Sequence, residues 1–217
     1  MEILLLAAGI LIAYLLGAVP TAVWFGKLYH GIDVREHGSG NPGATNTFRV
    51  LGKRAGTIVL LIDVVKGLMA ASLPVVLLKL QTFPENELVN FKIIFGLMAV
   101  VGHLFPVFLS FKGGKGVATL MGMMLAIHYE VAILSAVIFM ILLFLTKYVS
   151  LSSIIGALSF PFMLLLIPRF QGGEPMLIIF GFILFVVILV THNRNIHRMF
   201  KGEENKTHLF NRKNNQN

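Results

Sequence analysis

The sequence predicts an all-α integral membrane protein with about seven transmembrane helices, its N-terminus outside and its C-terminus cytoplasmic. Three observations carry that expectation. Only 13% of the 217 residues are charged and the mean hydropathy is +0.82, a balance that excludes an ordinary soluble domain. Several apolar stretches reach the roughly 20 residues that a helix needs to cross a hydrocarbon core. Lysine and arginine gather on one side of those stretches. Inside lipid the backbone must satisfy its own polar groups, so each spanning stretch should be helical.

Helices are expected at 3–26, 55–79, 91–109, 115–128, 131–147, 152–168 and 175–193. The first follows Glu2 directly and stays apolar to Phe25, with no basic n-region or Ala-x-Ala site, so it reads as a span and not as a cleaved leader. The second carries Asp63 and Lys66, three residues apart, which are expected to neutralise one another. The third carries His103 and Pro106, which suit an interhelical hydrogen bond and a kink. The fourth is short, and its glycine-rich start suits a partly re-entrant segment. The connection Gln81–Asn90 is a polar turn with no evident chemistry. Residues 1–203 make a single transmembrane domain in this reading, and 204–217 a polar cytoplasmic tail expected to be disordered.

With the N-terminus outside, the inner loops and tail carry 14 lysines and arginines, among them Lys27, Arg35, Arg49, Lys53, Arg54, Lys112, Lys115 and Lys147. The outer connections carry 3: Lys79, Lys92 and Arg169. That asymmetry satisfies the positive-inside rule and sets the orientation. The net charge of +8 therefore speaks for a membrane surface and anionic ligands, with no nucleic-acid partner and a monomer expected. The chain has no cysteine, which excludes disulfides and thiol chemistry.

Two glycine-rich, cation-bearing loops interrupt the membrane pattern on the inner side. The first is His37-Gly-Ser-Gly-Asn-Pro-Gly-Ala-Thr-Asn-Thr-Phe-Arg49. It contains a formal GxGxxG, but no strand precedes it and no βαβ unit follows, so it is not a dinucleotide fingerprint. Its glycines, Gly40 among them, can present N–H groups to an anion. Ser39, Asn41, Thr45 and Asn46 add neutral hydrogen-bonding groups, and Arg49 a planar fork suited to phosphate oxygens. An interfacial turn would not need that density of hydroxyls and amides.

The second loop is Phe111-Lys-Gly-Gly-Lys-Gly-Val-Ala-Thr119. It departs from a Walker A because Gly116, not Ser or Thr, follows Lys115. Gly113, Gly114 and Gly116 permit close approach to a ligand, and the following helix N-terminus favours an anion. Lys115, enclosed by glycines, is the ligand candidate, whereas Lys112 suits a simple interfacial charge. A third element, His192-Asn-Arg-Asn-Ile-His-Arg198, closes the last helix, where His192 and Asn195 share a face. A histidine there can take a proton from a hydroxyl nucleophile near neutral pH. Ser150, Ser152 and Ser153 open the sixth helix on the same side, where they can cap it, and Ser150 and Ser153 are candidate ligand contacts.

These stretches together resemble the bacterial acyl-phosphate:glycerol-3-phosphate acyltransferases, the PlsY family of integral membrane enzymes. The similarity runs from Tyr14 to Glu203 and includes Gly102–Thr119, Leu61–Gly67 and Tyr148–Ser153. Pro42 stands where the family often has an aliphatic residue, which should alter loop stiffness rather than chemistry. The resemblance implies a bacterial inner-membrane enzyme that moves a fatty acyl group from acyl phosphate to the 1-hydroxyl of glycerol 3-phosphate. Lysophosphatidic acid and phosphate would be the products, in the first step of phospholipid synthesis. Ser39, Thr45, Asn46, Arg49, Lys115, His192 and Asn195 correspond to the family's active-site groups. Neither a metal nor another cofactor is implied. The general base stays open between His192 and the substrate's own phosphate.

Two other classes compete. A carrier or flippase for phosphorylated solutes should show paired inverted repeats or helices broken near the midplane, whereas the candidate polar groups lie at one face. A headgroup transferase with a nucleotide-linked donor wants a carboxylate-bound metal, and the inner side offers Asp33, Glu36, Glu203 and Glu204 without an aspartate cluster.

Overall fold

The structure, a computed structural model, describes residues 1–170 and 175–207. Among the described residues the regular elements are helices: α1 (Glu2–Ala18), α2 (Thr21–His30), α3 (Ala44–Val50), α4 (Lys53–Lys79), α5 (Leu88–Leu104), α6 (Val117–Ile127), α7 (Tyr129–Thr146), α8 (Val149–Leu166), α9 (Pro175–Thr191) and α10 (Asn193–Phe200). Four helical segments are long and apolar enough to cross a membrane, and six if each of two bent pairs counts as one span. Every expected helix has a counterpart, but four of them differ in ways that shape the site.

The expected first helix is broken. Val19, before a proline, is driven out of helical geometry to ψ 114, and Pro20 has no N–H to continue the ladder. α1 and α2 consequently meet at 47°. The Val19 carbonyl freed by the break accepts from the Thr21 backbone at 3.0 Å and from Lys66 Nζ at 3.1 Å. The third expected helix stops at Leu104, and Pro106 opens the short 3-10 turn Val107–Leu109. The last expected helix bends by 62° at His192, so α10 leaves the direction of α9. α6 begins only at Val117, which leaves Lys115 and Gly116 in the loop.

α4 is the hub, packed against α1, α3, α5 and α6, while α7, α8 and α9 form a second group joined through α5 and α6. Without a strong hydrophobic drive between helices in lipid, close crossings rest on small residues. A Cβ at Gly17 would run into the Ala99 carbonyl, and one at Gly67 or Gly122 into the backbone of the facing helix. Met123, Val131, Phe160, Leu164, Leu184 and Ile188 fill the space between the two groups. The outer faces carry large apolar side chains such as Leu61, Ile141, Ile179 and Val190, a belt that suits lipid.

Asp63, Lys66 and His103 lie buried at the α4–α5 contact. Asp63 accepts from Thr21 Oγ1 at 3.0 Å and pairs with Lys66 at 2.8 Å, so the expected ion pair is present and tied to the α1–α2 break.

Candidate active site

The first loop is built by its own polar groups. Gly31 (φ 64) ends α2 in the left-handed conformation. Asp33 then clamps the entrance, accepting from the Arg35 backbone at 3.0 Å and side chain at 2.6 Å, with Lys27 at 3.1 Å. The Arg35 guanidinium foremost, with help from Lys27, holds the Asp33 carboxyl well below the usual carboxylate range. Gly38 (φ 61) and Gly40 (φ 71) make the turns that follow. Asn46, on the first turn of α3, is almost fully buried and staples the loop. Its Nδ2 donates to the carbonyls of Val34 at 2.7 Å and His37 at 3.0 Å, and its Oδ1 accepts from the Ser39 N–H at 2.8 Å. Asn46 thus spends its hydrogen-bonding capacity on loop shape, not on an open face toward a ligand. Ser39 and Gly40 are exposed, and Asn41 and Thr45 half-buried.

The second loop doubles back on the end of α5. Phe111 N–H reaches the Pro106 carbonyl at 3.0 Å, and Ser110 (φ 51) and Phe111 (φ 61) both sit in the left-handed region that disfavours side chains. Gly113 N–H donates to Leu104 O at 3.0 Å and Gly114 N–H to His103 O at 3.1 Å. A Cβ at Gly113 would overlap the His103 carbonyl, and one at Gly114 the His103 ring. The close approach that these two glycines permit is to the chain's own His103, to its carbonyl at Gly113 and its ring at Gly114. Gly116 (φ 79) turns the chain into α6 in the left-handed conformation, for which glycine is suited. Lys115 projects between them, half-buried, while Lys112 is exposed.

Lys115 Nζ donates to Asn195 Oδ1, which joins the second loop to α10 across 80 residues of sequence. Burial pushes the Lys115 ammonium down to about 8; Glu204 opposes that shift, and Arg198 and Arg49 reinforce it. Asn195 Nδ2 donates to Glu204 Oε1 at 2.6 Å, which also accepts from Ser150 Oγ at 2.8 Å. Arg198 Nε lies 3.2 Å from the other oxygen of the same carboxylate. Arg49 reaches over from α3, its Nη2 3.5 Å from the Asn205 carbonyl. Cations and neutral donors from α3, the second loop, α8 and α10 thus gather around one carboxylate. Such a set suits a phosphate group, which also offers several acceptor oxygens.

Sequence reasoning assigned Glu204 to the polar tail. The structure buries it beside Ser150 and Asn195, and the strand of chain beyond it is held by Thr207 N–H to the Lys147 carbonyl at 2.8 Å. Residues 208–217 of the expected tail lie outside the described residues. A glutamate after a basic helix end gives no periodic or compositional signal, so only its neighbours in space identify it.

His192 occupies the α9–α10 bend and is 2% exposed. Its Nδ1 lies 2.9 Å from the Ile188 carbonyl, an acceptor that requires the proton on Nδ1. The neutral ring then keeps a lone pair on Nε2, and no hydrogen bond to Nε2 is found among the described residues. Ser153 Oγ donates to the Val149 carbonyl at 2.8 Å and Ser152 Oγ to the Tyr148 carbonyl at 2.8 Å, so of the three serines only Ser150 joins the carboxylate cluster. No hydrogen bond links Ser39, Asn41, Thr45 or His192 to that cluster among the described residues. Nor is there, among them, a group of three His, Cys, Asp or Glu residues that could hold a metal ion.

Three comparisons bear on this geometry. The family model described as glycerol-3-phosphate acyltransferase matches residues 7–202. Among curated proteins, the glycerol-3-phosphate acyltransferase of Chlorobaculum tepidum is 42% identical, with 94% of this chain and 97% of the relative covered. That of Enterococcus faecalis is 46% identical over 91% of this chain and 89% of its own. The crystal structure of PlsY, an integral membrane glycerol 3-phosphate acyltransferase, in its glycerol 3-phosphate form superposes with a TM-score of 0.82 at 33% identity, covering 93% of this chain and 95% of that one. Its lysophosphatidic acid form gives 0.80 at 33% identity, covering 94% and 96%. With the fold, the three motifs and these relatives in agreement, the chain belongs to the glycerol-3-phosphate acyltransferase family of integral membrane proteins.

Proposed function

We propose that this protein transfers a fatty acyl group from acyl phosphate to the 1-hydroxyl of glycerol 3-phosphate, releasing lysophosphatidic acid and inorganic phosphate. The observation that carries the reading is the gathering of Lys115, Asn195, Ser150 and Arg198, with Arg49 alongside, from four separate sequence segments around the Glu204 carboxylate. Both substrates bear a phosphate, and the chemistry needs little else from the protein. Acyl phosphate is already an activated anhydride, so a direct displacement requires no covalent enzyme intermediate. The substrate hydroxyl oxygen bonds to the acyl carbon, the carbon–oxygen bond to phosphate breaks, and the hydroxyl proton passes to a base.

Positioning and charge stabilisation then lower the barrier. Lys115 and Arg49 hold phosphate oxygens. The exposed Ser39 hydroxyl offers a donor to the developing oxyanion, while the Ser39 and Gly40 N–H groups shape the loop. The Nδ1–Ile188 bond supports His192 as an acceptor through Nε2, with the substrate's own phosphate as the alternative base. The site faces the cytoplasm of a bacterial inner membrane, a placement supported by the distribution of lysine and arginine. Residues 1–203 act as one transmembrane unit, whose outer apolar belt leaves the acyl chain free to remain in lipid.

The test uses purified protein in detergent with labelled glycerol 3-phosphate, offered acyl phosphate or acyl-CoA, with and without a chelator. Phosphate release equal to lysophosphatidic acid formation, from acyl phosphate alone and unaffected by chelation, is the expected result. Efficient turnover of acyl-CoA, or loss of activity on chelation, refutes the donor or the mechanism.

A further inference from the structure

We propose that His103 is a positioning residue for Lys115, bracing the second loop from beneath on both sides of the lysine. The inference rests on Lys115 holding a substrate phosphate, as proposed above.

A lysine is a flexible four-carbon stem with a charged head, so its aim depends on how firmly its backbone is fixed. On the N-terminal side of Lys115, Gly114 N–H donates to the His103 carbonyl at 3.1 Å, and the His103 ring lies so close under Gly114 that a Cβ there would collide with Nε2. On the C-terminal side, the same ring reaches into the first turn of α6, where Nδ1 and Thr119 Oγ1 share a hydrogen bond of 3.1 Å. Thr119 is fully buried, so that bond exchanges with no water. The segment 114–119, with Lys115 inside it, is therefore held at one end by the His103 carbonyl, with the ring packed beneath it, and at the other by the ring's hydrogen bond. His103 itself cannot drift. Asp63 Oδ1 lies 3.9 Å from Nδ1, and Asp63 is fixed by Lys66 at 2.8 Å and Thr21 at 3.0 Å. Lys66 in turn holds the Val19 carbonyl at the α1–α2 break. The buried cluster thus connects the broken first span to the base of the second loop. Among the described residues no member of it hydrogen-bonds to the cluster around Glu204, and its link to that cluster runs through the Lys115 segment.

The test compares variants at Lys115, His103 and Thr119 of the full-length protein in detergent, with glycerol 3-phosphate and acyl phosphate each varied against a saturating partner. Lys115→Arg first identifies which substrate's kinetic constants respond to the lysine. His103→Leu keeps bulk but loses the Thr119 bond, and it is expected to weaken kcat/KM for that same substrate by roughly 10- to 100-fold, with the other substrate's KM unmoved. His103→Asn places an amide near the position of Nδ1 and should recover most of the loss. Thr119→Val removes the same bond from α6 and should copy His103→Leu; it stands in should the leucine variant not fold. Equal losses for both substrates, no loss, or failure of the asparagine to recover more than the leucine overturns the proposal. Wild-type constants for Lys115→Arg and Lys115→Ala alike would instead overturn the underlying role of Lys115.

Discussion

Replacing Gly113 by alanine perturbs the second loop without removing any functional group. The new Cβ would overlap the His103 carbonyl and lie 2.6 Å from both the Leu104 carbonyl oxygen and Pro106 Cδ. Two of these obstacles are backbone of the last α5 turn and the third is a proline ring, so none can swing aside as a flexible side chain would. Lifting the Cβ out of this overlap requires the loop to rise by at least about 1 Å, which also stretches the Gly113 and Gly114 N–H bonds to α5. Lys115 lies two residues on and moves with it. Misplacement on the order of 1 Å near reacting groups costs about 100-fold, which sets the expected fall in kcat/KM. The assay is steady-state lysophosphatidic acid formation in detergent, with thermal unfolding followed in parallel. Gly156→Ala is the control, since its Cβ would meet Phe139 Cβ at 3.2 Å, far from the loop, and should cost under about threefold. Activity of Gly113→Ala within threefold of wild type would refute the claim that this glycine sets the aim of Lys115.

Further outcomes follow from the same geometry. Lys115→Ala and Arg49→Ala should each lower turnover by about 100-fold or more, while exposed Lys112→Ala stays near wild type; an essential Lys112 beside a dispensable Lys115 would reverse the reading of the loop. With Lys115 held down to about 8, its cationic form prevails below that pH and is lost above it, so kcat/KM should decline as pH rises through about 8. Lys115→Arg, which stays charged, should lack that decline across the same range, as a pH–rate profile will show. Glu204→Ala leaves Ser150, Asn195 and Arg198 facing an empty anion position, and chemical or thermal unfolding should register a loss of about 3 kcal/mol. Single cysteines placed at Ser39 and Glu85 of this cysteine-free chain should label from the cytoplasmic and outer sides respectively; labelling of the Ser39 position from outside intact cells would overturn the orientation.

The elements themselves were legible because hydropathy is a local property. A run such as 55–79 declares a helix whatever surrounds it, and α4 spans Lys53–Lys79. The break at Val19–Pro20 was less legible, since a proline within an apolar run is tolerated in many membrane helices. It becomes a bend here where Lys66 and Thr21 satisfy the carbonyl that the break sets free. In the site, Lys115, Asn195 and Ser150 were found from residue type and side of the membrane, and the structure brings all three to the Glu204 carboxylate or its immediate partner. Asn46, Gly113 and Gly114 were also singled out, but as ligand contacts. Their partners are the carbonyls of Val34, His37, Leu104 and His103, and no spacing rule in the sequence names those partners.

The sequence by itself determined the membrane class, the two glycine-rich loops, the basic helix end and the family, because these rest on composition and on order along the chain. Only the tertiary structure decided which polar groups remain free for a substrate and which are spent on the protein's own backbone. It also brought Glu204 from the tail into the cluster and set His103 beneath Lys115, 12 positions further along the chain. The physical reason is common to these cases. A hydrogen-bonding side chain inside a low-dielectric protein must find a partner, and the partner is whatever the packing of α4, α5, α6 and α10 happens to bring within reach.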